Sequence, residues 1–189
     1  GTAPIEAFGT DAQKTKYLPD LVSGKKIGAF GLTEPNAGSD AGNTQTTAVK
    51  DGNNYIINGQ KAFCTNAGVA NTIIITARLI EDNEDKGISA FIVEAGTEGL
   101  SLGKPEMKMG WKGSDTRSVF FENMVLNKEN MLGSPSKGFQ QFLNTLVGGI
   151  SLKNNHPQIG PNILSVSINN PTVAAGVVLE PIAISNILS

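Results

Sequence analysis

The chain has 189 residues, 39% hydrophobic and 17% charged, enough for one domain with its own core and neither disordered nor membrane-embedded in composition. Fifteen basic and 17 acidic side chains leave a net charge of -2 with no basic block, which argues against nucleic acid as the main partner. A single cysteine, Cys64, excludes an intrachain disulfide, and with a single histidine, His156, the composition argues against a histidine–cysteine metal site or a Ser–His–Asp triad.

The lone cysteine points to a reducing compartment. No secretory signal and no apolar run long enough to span a bilayer is evident. The chain opens on Gly1 with no initiator Met and reads as a piece of a longer polypeptide. Its 22 glycines suggest the many tight turns of an all-β domain.

In chain order, Thr10 and Gln13 form a capping box, Asp11 follows the cap, and Gly24 is a plausible stop, so a helix is expected between them despite Pro19. The pattern then turns to β. Strands are expected over 26–32, 44–50, 53–57, 60–64, 72–78, 88–94, 100–109 and 117–125. Asp51-Gly52 and Asn58-Gly59 are hairpin signals, and 81–86 is a charged loop. The 72–78 run is β-branched and nearly continuous, as a strand buried on both faces would be. Residues 137–146 look helical, with Gly138 near the start and Phe139, Phe142, Leu143 and Leu146 at helical spacing. Beyond residue 150 only Lys153 and Glu180 are charged. The expected fold is mainly β, two packed antiparallel sheets in a sandwich or barrel with short flanking helices.

Three segments carry candidate chemistry. Residues 30–40 follow a strand directly and are rich in Gly and Ser, so backbone amides there can line an anion-binding concavity, with Thr33 and Ser39 adding hydroxyls. An ordinary self-capped turn fits the same residues, and on local chemistry alone it is the commoner outcome. Residues 59–66 place Phe63 and Thr65 near a strand end, where they suit a flat ring or, more commonly, a core residue and a strand residue. Residues 108–117 carry the lone Trp111, a ligand wall or, more often, a half-buried loop anchor. Neither GxGxxG nor GxxxxGK[ST] occurs, so neither a Rossmann nor a P-loop site is indicated.

Taken together and in this order, the segments resemble the acyl-CoA dehydrogenase family. The signature is Gly31-Leu32-Thr33-Glu34-Pro35-Asn36-Ala37-Gly38-Ser39-Asp40. Phe8-Gly9-Thr10 with Tyr17-Leu18-Pro19, Tyr55-Ile56-Ile57-Asn58-Gly59-Gln60-Lys61, Lys86-Gly87-Ile88-Ser89-Ala90-Phe91-Ile92-Val93, and Phe120-Phe121-Glu122-Asn123 with Glu129-Asn130-Met131-Leu132-Gly133 follow in register. The likeness runs from about residue 4 to 149 and is closest to bacterial short-chain, butyryl-CoA type members.

The resemblance implies a middle β-domain over 25–134 that binds FAD and acyl-CoA, preceded by a helical lead-in over 1–24 and followed by the start of a helix over 135–149 and an unassigned tail over 150–189. It places Phe30, Leu32, Thr33, Gly38, Ser39, Phe63, Cys64 and Thr65 at FAD. Leu32 and Thr33 would face the pyrimidine side of the flavin, Gly38 and Ser39 the pyrophosphate, and Thr65 the hydride-accepting nitrogen, with Ser39 also toward the acyl-CoA. The family removes a proton α to the thioester and passes a hydride from the β carbon to flavin. Its base is a carboxylate on a C-terminal helical domain, and no catalytic residue or metal ligand is assigned to this chain. Glu180 lies in the unmatched tail. Phe63 stands where many members have Trp, Cys64 replaces an aliphatic, and Asn43 replaces a small residue.

The full-length family protein would pass electrons to an electron-transfer flavoprotein and form a homo-oligomer, in a bacterial cytoplasm or the mitochondrial matrix. The alternative is a non-catalytic β-module, a truncated remnant that binds no flavin or acts only in association.

Overall fold

The structure, a computed structural model, describes residues 1–154. Two helices open the chain, α1 (Thr2–Phe8) and α2 (Asp11–Val22). The capping box forms as expected, with Thr10 Oγ1 accepting from the Gln13 amide at 3.2 Å and Gln13 Oε1 accepting from the Thr10 amide at 3.0 Å. Gly24 follows the last turn with φ 75, the left-handed backbone that ends a helix at little cost in glycine.

Eight strands follow: β1 (Gly28–Gly31), β2 (Thr47–Asp51), β3 (Asn54–Thr65), β4 (Thr72–Glu81), β5 (Glu84–Glu94), β6 (Leu100–Leu102), β7 (Thr116–Asn127) and β8 (Met131–Leu132). The helix α3 (Gly138–Asn154) closes the described chain. Its start on Gly138 is a packing requirement, because a Cβ there would lie 2.4 Å from the Ser89 carbonyl carbon on β5.

The sheet departs from the expected pair of antiparallel layers. All eight strands join one mixed sheet in the order β6-β7-β3-β2-β4-β5-β8, with β1 added beside β4. Both β1 and β2 run parallel to β4, β1 against Thr72 to Ile75 and β2 against Arg78 to Ile80. The two short strands therefore follow one another along one edge of β4. The excursion between them, residues 32–46, carries the signature. The sheet is strongly curled. Tyr55 on β3 and Phe91 on β5 are three places apart, about 14 Å in a flat sheet, yet their ring centroids lie 5.2 Å apart.

Curling encloses one apolar cluster that includes Ile57, Ile73, Ile75, Phe91, Val119 and Phe121. The opposite face of β4 and β5 supplies Ile74 and Ile92 to a second cluster with Ile5, Tyr17, Leu21 and Phe142 of the helices. β4 is thus buried on both faces, which explains its unbroken run of Ile.

Three local expectations are corrected. Asn58-Gly59 does not turn a hairpin. β3 runs straight through it, Gly59 takes φ 139, and the pairing with β7 shifts register between Ile57 and Gly59. The side chain of Asn58 instead bonds the amide of Asn123 at 2.8 Å. The charged stretch 81–86 is no open loop but a tight hairpin, with Asp82 and Asn83 at φ 54 and 60 between β4 and β5. The strand expected over 100–109 is confined to Leu100–Leu102: Pro105 has no N–H to continue the ladder, and beyond it the ammonium of Lys108 bonds the Ser114 carbonyl and the Thr116 hydroxyl and closes residues 108–116 into a loop. Residues 155–189, including His156 and Glu180, lie outside the described residues.

Candidate functional site

Two segments converge beside β1. The first is the excursion 32–46. Glu34 and Ala37 exchange backbone hydrogen bonds of 3.1 Å each across Pro35-Asn36, a tight turn that presents Gly38 and Ser39 at the surface. The second is the end of β3. Pairing with β7 slips by one residue between Lys61 and Cys64, and Phe63 takes φ 54. A bulge of this kind re-aims side chains. Phe63, 64% exposed, and Thr65 emerge at the surface, while Cys64 between them is buried. Left-handed backbone at an aromatic residue is uncommon and marks stored strain.

The two segments are strapped together. The amide of Ala62 donates to the Thr33 carbonyl at 2.7 Å, and Cys64 Sγ lies 3.5 Å from the Phe30 carbonyl. Thr46 Oγ1, at the far end of the excursion, donates to the Gln60 carbonyl at 3.2 Å.

Beneath the straps lies a buried ion pair that the sequence reading missed. Lys61 is fully buried and Glu34 is 4% exposed, with Nζ to Oε1 at 2.5 Å. The ammonium also donates to Thr76 Oγ1 at 3.1 Å and the Leu32 carbonyl at 3.3 Å. The carboxylate accepts from the amides of Gln45 and Thr46, at 2.7 and 3.1 Å. Lys61 on β3 thus holds, through Glu34, both ends of the excursion. Burial pulls the Lys61 ammonium down to about 8 against the opposing charge of Glu34, so at neutral pH it remains charged. Burial pushes the Glu34 carboxyl up, but the charge and hydrogen bond of Lys61, with Thr46 and Gln45, outweigh it and leave the value lowered.

A carboxyl lowered on folding stabilises the fold above its unfolded pKa, and that contribution is lost as pH falls through the folded value. Acidifying from about pH 5 to about pH 3 is therefore expected to lower the midpoint of urea unfolding less in Glu34→Gln than in the parent. Parallel curves for the two proteins would contradict the assignment.

The expected site residues divide. Thr33 accepts from the amide next to Phe63, Thr65 follows at the exposed end of β3, and Gly38 and Ser39 follow the Glu34–Ala37 turn at the surface. Among the described residues, the hydroxyls of Thr33, Ser39 and Thr65 make no hydrogen bond within the chain. Leu32 packs against the helical cluster. The ring of Phe30 stacks on Phe142 at 3.9 Å, so what Phe30 offers the strapped edge is backbone. The Cys64 thiol faces the core, where burial raises it to about 11, so it is protonated and inert at neutral pH. Trp111 is no half-buried anchor, since it is 88% exposed with φ 52. An apolar cleft of about 190 Å³ lies elsewhere, between Ala67-Gly68 and Leu100 to Leu102, and none of the expected residues lines it. No group of three or more metal-ligating side chains occurs among the described residues.

Gly38 tests whether the turn suits a closely approaching ligand. Its backbone is outside the left-handed region, and a Cβ there would meet nothing within 4 Å. Nothing among the described residues requires glycine at this place, and the space over it is open. Free hydroxyls, an open glycine turn and an exposed aromatic fit a diphosphate joined to a flat ring.

The family model for the acyl-CoA dehydrogenase middle domain matches residues 29–124, the segment that holds both straps and the ion pair. The chain belongs to the acyl-CoA dehydrogenase family. It is 52% identical over 145 residues to the short-chain specific acyl-CoA dehydrogenase of Clostridium acetobutylicum, covering 77% of this chain and 38% of that protein. Among solved structures it resembles butyryl-CoA dehydrogenase from Megasphaera elsdenii, with TM-score 0.73 and 49% identity over 77% of this chain and 38% of that one. An acyl-CoA dehydrogenase from Bacillus anthracis, solved with FAD, gives TM-score 0.74 and 43% identity over 79% of this chain and 26% of that one. This acyl-CoA dehydrogenase middle domain therefore spans well under half the length of the relatives it matches.

Glu34, Lys61 and Arg78, which contacts the same excursion, are the residues that sequence reasoning missed. Glu34 and Lys61 were both inside quoted motifs. Their 27-residue separation left no local signal, but a Lys within an otherwise strand-like segment is one that asks for a buried partner.

Proposed function

We propose that the chain is the FAD-binding domain of an enzyme that oxidises acyl-CoA thioesters to their α,β-unsaturated products. The supporting observation is the pair of straps, Thr33 to Ala62 and Phe30 to Cys64, which holds the glycine turn and the Phe63 bulge on one edge. FAD, when bound, accepts the hydride from the β carbon. The turn amides and the Ser39 hydroxyl bind its diphosphate, with Gly38 admitting close approach. Thr33 lies at the pyrimidine side. Phe63 would lie against the ring and exclude water from it, and the Thr65 hydroxyl would donate to the ring nitrogen that accepts the hydride. Leu32, Phe30 and Cys64 support these from behind through packing and backbone, and Ser39 also reaches toward acyl-CoA.

Proton removal from the α carbon is assigned to a residue outside the described chain. Glu34 is a poor base, being held by Lys61 and two amides. The chain alone is accordingly read as turning over no butyryl-CoA. The proposed β-domain, 25–134, encloses the matched segment, and its curled sheet is read as two facing layers. In the full-length protein we assign electron-transfer flavoprotein as acceptor, a homo-oligomeric state, and a cytoplasmic or mitochondrial-matrix location. Among the described residues, no helix is long and apolar enough to cross a membrane.

Titration with FAD, followed by quenching of flavin fluorescence, tests the reading. The parent is expected to bind one FAD per chain. Gly38→Val is expected to bind about tenfold more weakly while its stability stays within about 0.5 kcal/mol of the parent. A parent that takes up no flavin, or a variant with parental affinity, would sink the proposal.

A further inference from the structure

We infer that Arg78 is a positioning residue for the cofactor loop, fixing the return limb of the 32–46 excursion and thereby the place of Gly38 and Ser39. The inference rests on the FAD reading above.

Arg78 lies on β4 where β2 joins it. It reaches three alternate carbonyls of the excursion. Its backbone amide donates to Thr46 at 2.7 Å, Nε to Thr44 at 3.0 Å, and one terminal nitrogen to Gly42 at 3.3 Å. The other terminal nitrogen pairs with Asp85 across the β4–β5 hairpin at 2.6 Å, which holds the guanidinium in line. Glu34 takes the amides of Gln45 and Thr46 from the same limb. The limb is therefore held by donors on one side and an acceptor on the other.

The anchors bracket the binding turn. Upstream, Ala37 is fixed by its reciprocal bonds to Glu34. Downstream, Gly42 is fixed by Arg78. Only residues 38–41 lie between them, the stretch assigned to the diphosphate. Moving Gly42 must displace Ser39, since three peptide units give little slack. Loss of the Arg78 side chain removes the bonds to Gly42 and Thr44 but leaves the backbone bond to the Thr46 carbonyl, so the limb loosens without releasing the core.

The chemistry requires arginine. A planar fork serves two carbonyls and a carboxylate at once in fixed directions, whereas a lysine ammonium supplies a similar charge from a single point. This separates positioning from simple electrostatic attraction of a diphosphate. Arg78 is not part of the buried core, its side chain being 28% exposed, so its replacement is expected to leave the fold intact.

The test uses the 189-residue chain, Arg78→Gln, Arg78→Lys and Asp85→Asn. FAD affinity, melting temperature and hydrogen exchange at the amides of Asn43, Gln45 and Thr46 are measured for each. Both Arg78 variants are expected to bind FAD about tenfold more weakly and to exchange those amides about tenfold faster, with melting temperature nearly unchanged. Asp85→Asn, which keeps both carbonyl bonds, is expected to change affinity by less than about threefold. Parental affinity in Arg78→Lys would show that charge alone suffices and overturn the inference. Parental exchange in Arg78→Gln, or an affinity loss that merely follows a fall in melting temperature, would overturn it as well. A parent that binds no FAD removes the cofactor reading itself, and the exchange data then report separately whether Arg78 holds the limb.

Discussion

Replacing Lys61 with methionine is expected to destabilise the protein by about 3–5 kcal/mol, the largest effect of any single side-chain truncation around the site. The variant strands the Glu34 carboxylate, which is 4% exposed, without its counter-charge. Two amide bonds from Gln45 and Thr46 remain and do not compensate for a buried negative charge. Protonating Glu34 relieves the charge but weakens its hold on those amides. For a chain of this size the loss corresponds to a fall in melting temperature of roughly 10 °C.

The double variant Glu34→Gln with Lys61→Met is expected to recover more than half of the loss, because a neutral amide still accepts from the limb and no unpaired charge is buried. Urea unfolding of both variants and the parent checks this. A single variant within about 1 kcal/mol of the parent would show that the ion pair is not the tie described here. So would a double variant no more stable than the single.

Gly59→Ala is the second large effect, with an expected loss of about 2–4 kcal/mol. Gly59 has φ 139, where an L side chain is strained, and its added Cβ would lie 2.7 Å from Thr46 Cα. The obstruction is backbone, so no rotamer change relieves it. Thr46 must move, and it carries the bond to the Gln60 carbonyl, the Glu34 bonds and the contact to Arg78. FAD affinity is expected to fall together with stability. Gly38→Ala supplies the contrast. Its Cβ meets open space at an ordinary φ, so stability should hold or rise by about 0.4–1 kcal/mol. Equal stabilities for the two glycine variants would contradict the close approach of β3 to the loop.

Where the sequence was informative, the signal was local. Thr10 and Gln13 lie three residues apart and formed the capping box they implied. The run of Ile in β4 announced a strand covered on both faces, and Gly138 marked the start of α3. The signature and its companion segments were legible as a family resemblance, which the matched middle domain bears out. The failures were of two kinds. Asn58-Gly59 carries the dipeptide of a tight hairpin, yet Gly59 was needed for passage over Thr46 rather than for a turn. The same residue type answers both demands, and only the tertiary neighbour decides between them.

The second kind concerns pairing. Neither the parallel placement of β1 and β2 on β4 nor their succession along one edge leaves a periodicity in the chain. The Glu34–Lys61 pair and the Arg78 clamp depend on that arrangement, so they too were hidden. Arg78 read as the end of an apolar strand and Lys61 as the end of a motif. What makes them structural anchors is the lateral excursion that the topology creates between β1 and β2.

The most direct measurement is a titration of isotopically labelled protein with FAD, followed through its backbone amide resonances. Gly38, Ser39, Phe63 and Thr65 are expected to shift together and saturate at a single affinity, with the amides of β6 and the Trp111 loop unmoved. Shifts gathered around the Ala67 to Leu102 cleft, or none at the glycine turn and the Phe63 bulge, would contradict the account.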